Sequence, residues 1–386
     1  MSQATKGIAR EQNQKLQVRI ADAQYIFDRS GRFLLYTTQG KVVRRGLDHR
    51  MVQIQVPSYG GLPARRYRDL ASEEKSLFLQ EAYEVGRLVL EHSDFSQRDW
   101  WRERLSTWTI DGLATDYKAF HNVYLPVSIL PPDQYHAVVV QVAHGCSYNH
   151  CLFCDFYRDR PFHIKSNEEV KRHIHLLREF LGERIHDRSG IFLGDGNALI
   201  IPTERLLQMM RFIREMFQVE AITTFGTFMD TFNLDHKSQM ELQIVRRAGL
   251  ETVYVGFETG SDRLRMFLDK PGVAAEAVWA INKLKAAGFR IGLILLIGAG
   301  GVSFVEEHRQ ATLTALAQIQ FTAGDIVFLS PFYMPEHTPY QSKMNQEHLL
   351  ALSDVEMEQE LHFWKKNLIV ARPAKITLYS IKEHLY

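Results

Sequence analysis

The three cysteines of this 386-residue chain, Cys146, Cys151 and Cys154, lie together in the segment HGCSYNHCLFC (144–154). Thiolates this close in sequence can converge on one metal centre, and zinc or an iron-sulfur cluster are the candidates. A structural zinc ion would need a fourth ligand, which His144 or His150 could supply. Three cysteines on a cubane cluster would instead leave one iron open to bind a substrate or cofactor. The number of thiols therefore favours a cluster with an open iron.

Composition indicates an ordinary globular protein. Hydrophobic residues make up 45% and charged residues 24%, and 46 Lys and Arg nearly cancel 45 Asp and Glu. The chain has almost no net charge to attract polyanions, so its composition gives no clear sign of nucleic-acid binding. No apolar run approaches the roughly 20 residues that cross a membrane. The N-terminus has no secretory pattern, so we expect a cytoplasmic protein. Clustered cysteines in such a chain favour metal or redox chemistry over disulfides.

The cysteines follow a predicted strand, residues 137–145, and precede a helix that a capping box at Ser166 predicts through about residue 180. The same strand, loop and helix pattern recurs along the chain. Strands with continuous apolarity, which indicates burial on both faces, are predicted at 190–196, 221–228, 252–258, 290–298 and 325–333. Their alternation with helices predicts a parallel sheet, barrel-like or doubly wound, with ligands at the carboxyl ends of the strands.

The first 125 residues have a different pattern. Segments 33–45 and 51–56 indicate antiparallel strands, and residues 72–92 form a strongly amphipathic helix. A proline-rich stretch, 125–135, separates this part from the strands that follow. We therefore expect an added α+β region at the N-terminus.

The cysteine segment resembles the radical S-adenosylmethionine (radical SAM) enzymes, whose usual signature spaces three cysteines by x3 and x2 with an aromatic before the last. Here the spacing is C-x4-C-x2-C, with Phe153 before Cys154. This is similar to a minority pattern, GC-x4-C-x-FC, within the same superfamily. The resemblance implies that Cys146, Cys151 and Cys154 hold a 4Fe-4S cluster.

Segments further along the chain carry the same resemblance. LGDGNAL (193–199) resembles the glycine-rich motif that binds the methionine amino group, which implies cofactor binding by Gly194, Asp195 and Gly196. VYVGFETGSDRLRMFLDKPG (253–272) resembles the family's G-x-E-S-G-S-D segment, which implies that Glu258 lies near the cofactor and that Lys270 pairs with the methionine carboxylate.

Within the last of these segments, Ser261 and Asp262 either cap a helix or contact the cofactor. GLILLIGAGG (292–301) resembles the strand and glycine turn that lie under adenine. LSPFYMPEHTPY (329–340) resembles a P-x-G-T-P segment, with His337 where glycine is usual.

The resemblance implies an α/β fold, a parallel (β/α)6 partial barrel of the radical SAM type over residues 126–340. Residues 1–125 would form the α+β extension, and 341–386 a C-terminal helical extension with a possible final strand. The implied activity is reductive cleavage of S-adenosylmethionine at one 4Fe-4S cluster, which gives a 5′-deoxyadenosyl radical that abstracts hydrogen from an unknown small-molecule or peptide substrate. A low-potential donor such as flavodoxin or ferredoxin would supply the electron.

The cysteine count narrows the reaction class. Family members that insert sulfur need an auxiliary cluster, and some methylating members need further reactive thiols, but the chain has no cysteine beyond these three. Oxidation, decarboxylation or rearrangement is therefore expected before sulfur insertion or methylation. The alternative from a different class is a noncatalytic α/β protein in which the same cysteines and a histidine hold structural zinc and the body binds a partner or nucleic acid.

Overall fold

The computed structural model describes residues 7–57, 65–218, 222–232, 234–334 and 338–386. The chain divides into two compact units. The first consists of Met1–Pro126, His175–Arg188 and Lys382–Tyr386, and the second of Val127–Ile174 and Ser189–Ile381. No helix of the described residues is long and apolar enough to cross a membrane.

The first unit contains an antiparallel sheet whose strands pair in the order of the sequence. They are β1 (Ile8–Gln12), β2 (Lys15–Ile20), β3 (Ala23–Phe27), β4 (Phe33–Thr37), β5 (Lys41–Arg45), β6 (Met51–Gln55) and β7 (Arg66–Asp69). The expected antiparallel strands are confirmed, but the predicted strand 33–45 is two strands. Residues 38–40 turn the chain, and Thr38 N donates to the Lys41 carbonyl at 2.9 Å.

Helices α1 (Ser72–Glu91), α2 (Arg98–Thr107) and α3 (Ile110–Val123) complete this unit. The buried positions of α1 recur every three or four residues, so one stripe of the helix faces the core. That stripe packs with alternate residues of the strands, and the buried cluster includes Phe27, Phe33, Val43, Tyr83 and Trp101. The α+β character expected for the N-terminal region follows from this packing.

The second unit contains a parallel sheet in the order β8-β11-β12-β13-β14-β15-β16. Its strands are β8 (Val138–Gln141), β11 (Ile191–Gly194), β12 (Phe225–Met229), β13 (Leu250–Glu258), β14 (Arg290–Ile297), β15 (Ile326–Pro331) and β16 (Lys375–Leu378). The short strands β9 (Ala143–His144) and β10 (His163–Ile164) form a separate antiparallel pair. The predicted parallel core is confirmed, and β16 adds a parallel strand beside β15.

Helices alternate with these strands. They are α4 (Asn167–Leu181), α5 (Thr203–Met216), α6 (Gln239–Arg247), α7 (Asp262–Phe267), α8 (Ala274–Ala286), α9 (Val305–Leu316), α10 (Pro339–Gln346) and α11 (Asp354–Asn367). Ser166 and Glu169 form the predicted capping box. Gly249 and Gly288, expected just past two helix ends, have φ of 104° and 88°, which suits glycine.

Burial explains the continuous apolarity of the parallel strands. Every residue of β8 and β11 is buried, and so is every residue of β14 after Arg290. A side chain on either face of such a strand is removed from water, which stabilises the fold by about 1.5–3 kcal/mol for each large aliphatic group. Polar and catalytic groups are therefore confined to the strand ends and the loops that follow them.

Candidate active site

A cavity of about 210 Å³ lies in the second unit. Its wall contains residues at the carboxyl ends of β12 to β15, such as Met229, Glu258, Leu296 and Pro331, together with the cysteine loop. This is the end of a parallel sheet where ligands bind. Besides Lys270, six of the predicted metal and cofactor residues line it: Cys146, Cys151, Phe153, Cys154, Gly196 and Glu258.

Local backbone interactions shape the cysteine loop. Gly145 begins it with φ of 73°, and Cys154 N donates to the Cys151 carbonyl at 3.2 Å. Asn149, inside the four-residue gap, has φ of 55°, and its Nδ2 donates to the Tyr157 carbonyl at 2.9 Å. The longer gap therefore forms a turn that is tied to the residues after the third cysteine.

The thiols are held out of water with little positive charge nearby. Burial raises the pKa of Cys151 to about 11, against an opposing effect of Lys270, and raises the pKa of Cys154 to about 12. A thiol becomes a ligand only as the thiolate, so cationic metal must supply the charge that stabilises it here. The three cysteines, half-buried around one cavity, fit an iron-sulfur cluster in this respect.

The zinc alternative gains no support. Among the described residues, no group of three or more His, Cys, Asp or Glu side chains converges as ligands of one ion do. A cubane cluster binds each thiolate to a different iron, so its ligands need not meet at one point. His150 is exposed, and its ring lies 5.3 Å from that of Tyr148.

Asp195 stabilises the cysteine loop through hydrogen bonds. Gln141 Nε2 donates to its Oδ1 at 2.8 Å, while Gly145 N and Arg160 Nη1 donate to its Oδ2 at 3.1 and 3.2 Å. Burial raises the pKa of Asp195, against the opposing effect of these donors. Its carboxylate thus joins β8, β11 and the loop that carries the cysteines. A direct contact of Asp195 with methionine remains a prediction.

Gly194 and Gly196 differ in their surroundings. Gly196 lines the cavity, whereas Gly194 is the last residue of β11 and forms a cis peptide bond with Asp195. A Cβ on Gly196 would lie 3.0 Å from the Gly145 carbonyl oxygen and 3.4 Å from Cys146 Cα. Glycine at 196 therefore lets the cysteine loop approach the end of β11.

Glu258 and Lys270 form a buried pair on the cavity wall. Lys270 Nζ lies 3.5 Å from Glu258 Oε1, and the side chains are 8% and 9% exposed. Burial raises the pKa of Glu258, and Lys270 opposes the shift. Glu258 has φ of 64°, a conformation that side chains rarely adopt outside functional sites. A Cβ at Gly256 would collide with the Glu258 carboxylate, so glycine there allows the pair.

Arg265 holds the turn that carries Lys270. Its Nε donates to the Gly272 carbonyl at 2.9 Å, and its Nη2 donates to the Pro271 carbonyl at 2.9 Å. The same guanidinium donates to the Phe257 carbonyl at 3.1 Å, immediately before Glu258. Sequence reasoning missed this residue because its acceptors are backbone carbonyls brought together by the fold.

Ser261 and Asp262, for which the sequence allowed either helix capping or a cofactor contact, act mainly as helix caps. Ser261 Oγ accepts from Leu264 N at 3.0 Å, and Asp262 Oδ1 accepts from Ala274 N at 2.7 Å. The glycine turn after β14 packs against protein. A Cβ on Gly300 would lie 2.6 Å from Phe304 Cδ2. His337 lies outside the described residues, whereas Ser330, Pro331, Phe332 and Tyr333 of the same segment line the cavity.

Sequence reasoning also missed much of the cavity wall that follows strand β12. Asp230 directly follows β12, and it lines the cavity with Phe228 and Phe232. A polar residue at the end of a predicted buried strand was a usable signal. The aromatic residues gave none, because buried strands and cavity walls use the same residue types.

Comparison with known proteins identifies one family. Residues 140–312 match the model described as Radical SAM superfamily. No curated protein that was compared by sequence matches the chain.

Three solved structures align with the chain at low identity. Methylornithine synthase (PylB) is 16% identical over 63% of this chain and 70% of its own, with a TM-score of 0.40. The cobalamin-dependent S-adenosylmethionine radical enzyme OxsB is 16% identical over 55% and 30%, with a TM-score of 0.37. Coproporphyrinogen III oxidase (HemN) from Escherichia coli is 16% identical over 60% and 52%, with a TM-score of 0.43. The chain spans less than two thirds of the last two.

Proposed function

Because residues 140–312 match the Radical SAM superfamily model, we propose that the chain cleaves S-adenosylmethionine reductively and uses the 5′-deoxyadenosyl group to abstract hydrogen from a substrate. Enzymes of this superfamily use a 4Fe-4S cluster and S-adenosylmethionine. The observation that carries the proposal is the meeting of Cys146, Cys151 and Cys154 with Glu258 and Lys270 on one cavity wall.

When bound, the cluster supplies the electron for cleavage of the sulfonium bond, and the protein ligates, orients and excludes water. Cys146, Cys151 and Cys154 would hold it, with Phe153 beside the last cysteine. Lys270 would bind the methionine carboxylate, a role supported by its burial and by the single carboxylate that lies beside it.

We propose that the methionine amino group binds near Gly196, which lines the cavity beside the cysteine loop. A Cβ at that position would crowd Gly145 and Cys146. The Asp195 carboxylate keeps the loop in place through Gly145 N. We propose that Gly194, Asp195 and Gly196 bind the amino end of the cofactor.

We propose that the enzyme is oxidoreductase-like and that it oxidises, decarboxylates or rearranges its substrate. The chain has no cysteine for an auxiliary cluster or for thiol-dependent methylation. A flavodoxin or ferredoxin would deliver the electron, and a reducing cytoplasm suits thiolates that must remain reduced.

The test is anaerobic reconstitution with iron and sulfide, followed by assay of 5′-deoxyadenosine formed from S-adenosylmethionine and dithionite. We expect formation by the native chain and none by Cys151→Ala. A colourless protein that carries one tightly bound zinc and forms no 5′-deoxyadenosine would refute the proposal.

A further inference from the structure

Several large apolar side chains, most of them aromatic, line the cavity together with the cysteine loop. Phe228 and Phe232 come from the end of β12, and Phe332 follows β15. Tyr379 follows β16, and Ile129 and Phe156 complete this surface. We call these six residues the aromatic wall. Such a surface favours an apolar or aromatic body, because it offers large rigid contact area and few hydrogen-bonding groups.

The charge of the cavity is negative. Its lining contains the carboxylates Asp155, Asp230 and Glu258, and the sole Lys or Arg among the described lining residues is Lys270. That ammonium lies 3.5 Å from Glu258, and its remaining donors are assigned by the proposed function to the methionine carboxylate of the cofactor. An anionic substrate group would therefore lose water and would lie near the carboxylates of Asp155 and Asp230, and both effects oppose its binding.

Asp230 is the carboxylate best fixed beside the aromatic wall. Asn197 Nδ2 donates to its Oδ2 at 2.9 Å, and Ser147 Oγ lies 3.5 Å from the same oxygen. Asn197 is buried and is itself held, because its Oδ1 accepts from Leu199 N at 2.9 Å. The negative charge of Asp230 thus has a defined position, next to Phe228 and Phe232.

We infer that the substrate has an apolar or aromatic body and no anionic group, and that Asp230 selects a basic nitrogen on it. This inference rests on the proposed function and narrows its substrate class. The same charges disfavour phosphorylated substrates and polycarboxylates. A basic nitrogen at Asp230 would instead form a charge-assisted hydrogen bond in the cavity.

The experiment compares three probes that share an indole body. Tryptamine is a cation, 3-ethylindole is neutral, and indole-3-propionate is an anion. Equilibrium dialysis measures their binding to the full chain, reconstituted with iron and sulfide and saturated with S-adenosylmethionine, so that probes cannot occupy the cofactor's place. We expect tryptamine to bind at least about tenfold more tightly than indole-3-propionate, with 3-ethylindole between them.

Two variants assign the effect. Asp230→Asn keeps the size of the side chain and should remove the preference for tryptamine over 3-ethylindole while 3-ethylindole still binds. Asp235→Asn, an exposed acid outside the cavity lining, should leave all three affinities unchanged. Equal binding of the cation and the anion, or no binding of any probe, would overturn the inference.

Formation of 5′-deoxyadenosine without substrate, assayed in the same preparations, reports the proposed function separately. If 5′-deoxyadenosine still forms but the protein does not prefer tryptamine to indole-3-propionate, only the inferred substrate class is refuted. If the native chain forms no 5′-deoxyadenosine, the proposed function itself is refuted.

Discussion

Lys270 Nζ lies 3.5 Å from Glu258 Oε1, although both side chains are about nine-tenths buried. A buried ammonium with one carboxylate partner retains donors for another anion. The pair lies on the same cavity wall as the three cysteines. The cysteine loop thus shares a cavity with an ammonium that we propose binds the methionine carboxylate, which leads to the first prediction.

Replacing Lys270 should weaken binding of S-adenosylmethionine more than binding of iron. Lys270→Met removes the cation and keeps most of the side chain's volume, so we expect at least about a tenfold rise in the Kd of the cofactor. Isothermal titration of the reconstituted protein measures it, with exposed Lys366→Met as the control. An unchanged Kd would show that Lys270 does not bind the methionine carboxylate.

Arg265 should act on the cofactor through Lys270. Arg265→Gln leaves the carbonyls of Phe257, Pro271 and Gly272 short of donors, so we expect loss of about 3 kcal/mol or more of unfolding free energy. Arg265→Lys keeps a charge and should fold better, yet loosen the turn.

For Arg265→Lys we expect a raised Kd for S-adenosylmethionine at unchanged iron content per chain. Loss of iron in parallel with affinity would mean that Arg265 supports the whole loop region and does not position Lys270.

Gly196→Ala should disturb the cysteine loop. The added Cβ would lie 3.0 Å from the Gly145 carbonyl oxygen, which is backbone and cannot rotate away. We expect a loss of about 1–3 kcal/mol in stability and a lower iron content after reconstitution. In the control Gly324→Ala, the new Cβ would meet only the Arg290 side chain, which can move. Equal iron content in both variants would contradict this role.

Acid should destabilise the fold through His308. Burial lowers its pKa to about 4, with Arg309 acting in the same direction, and its Nδ1 lies 2.8 Å from Thr259 Oγ1, next to Glu258. Between pH 6.5 and 5 the unfolded chain binds a proton at this histidine and the fold does not. The free energy of unfolding therefore falls as pH falls, by about 2 kcal/mol at pH 5 from this group.

Urea unfolding of the metal-free chain at pH 7.5 and 5 measures the effect of His308. His308→Gln cannot titrate, so its stability should fall about 2 kcal/mol less between the two pH values. Parallel losses in the native chain and the variant would contradict a neutral buried His308.

The parallel core was predictable because its signals are local. Continuous apolar runs gave the strands, and Ser166, Gly249 and Gly288 marked helix ends through their own backbone preferences. The strands β1 to β3 were missed. IAREQ has only two apolar residues, but KLQVRI alternates apolar and polar residues with a period of two, which was a usable strand signal.

The residues proposed to bind the metal and the cofactor were predicted from motif spacing, but their hydrogen-bond partners were not. Asp195 meets Arg160 and Gln141 from distant parts of the chain, and Asp230 meets Asn197 across two strand ends. Such contacts depend on the register of the parallel sheet, which apolar runs do not specify. The aromatic wall is likewise a product of tertiary structure.

We propose that the three cysteines hold a 4Fe-4S cluster and that S-adenosylmethionine would bind at the iron that has no cysteine ligand. Electron paramagnetic resonance of the dithionite-reduced, reconstituted chain, recorded with and without S-adenosylmethionine, tests it most directly. We expect the signal of a reduced 4Fe-4S cluster, and we expect that signal to change when S-adenosylmethionine is added. A cluster signal that the cofactor leaves unchanged, or no iron signal in a protein that binds zinc, would contradict it.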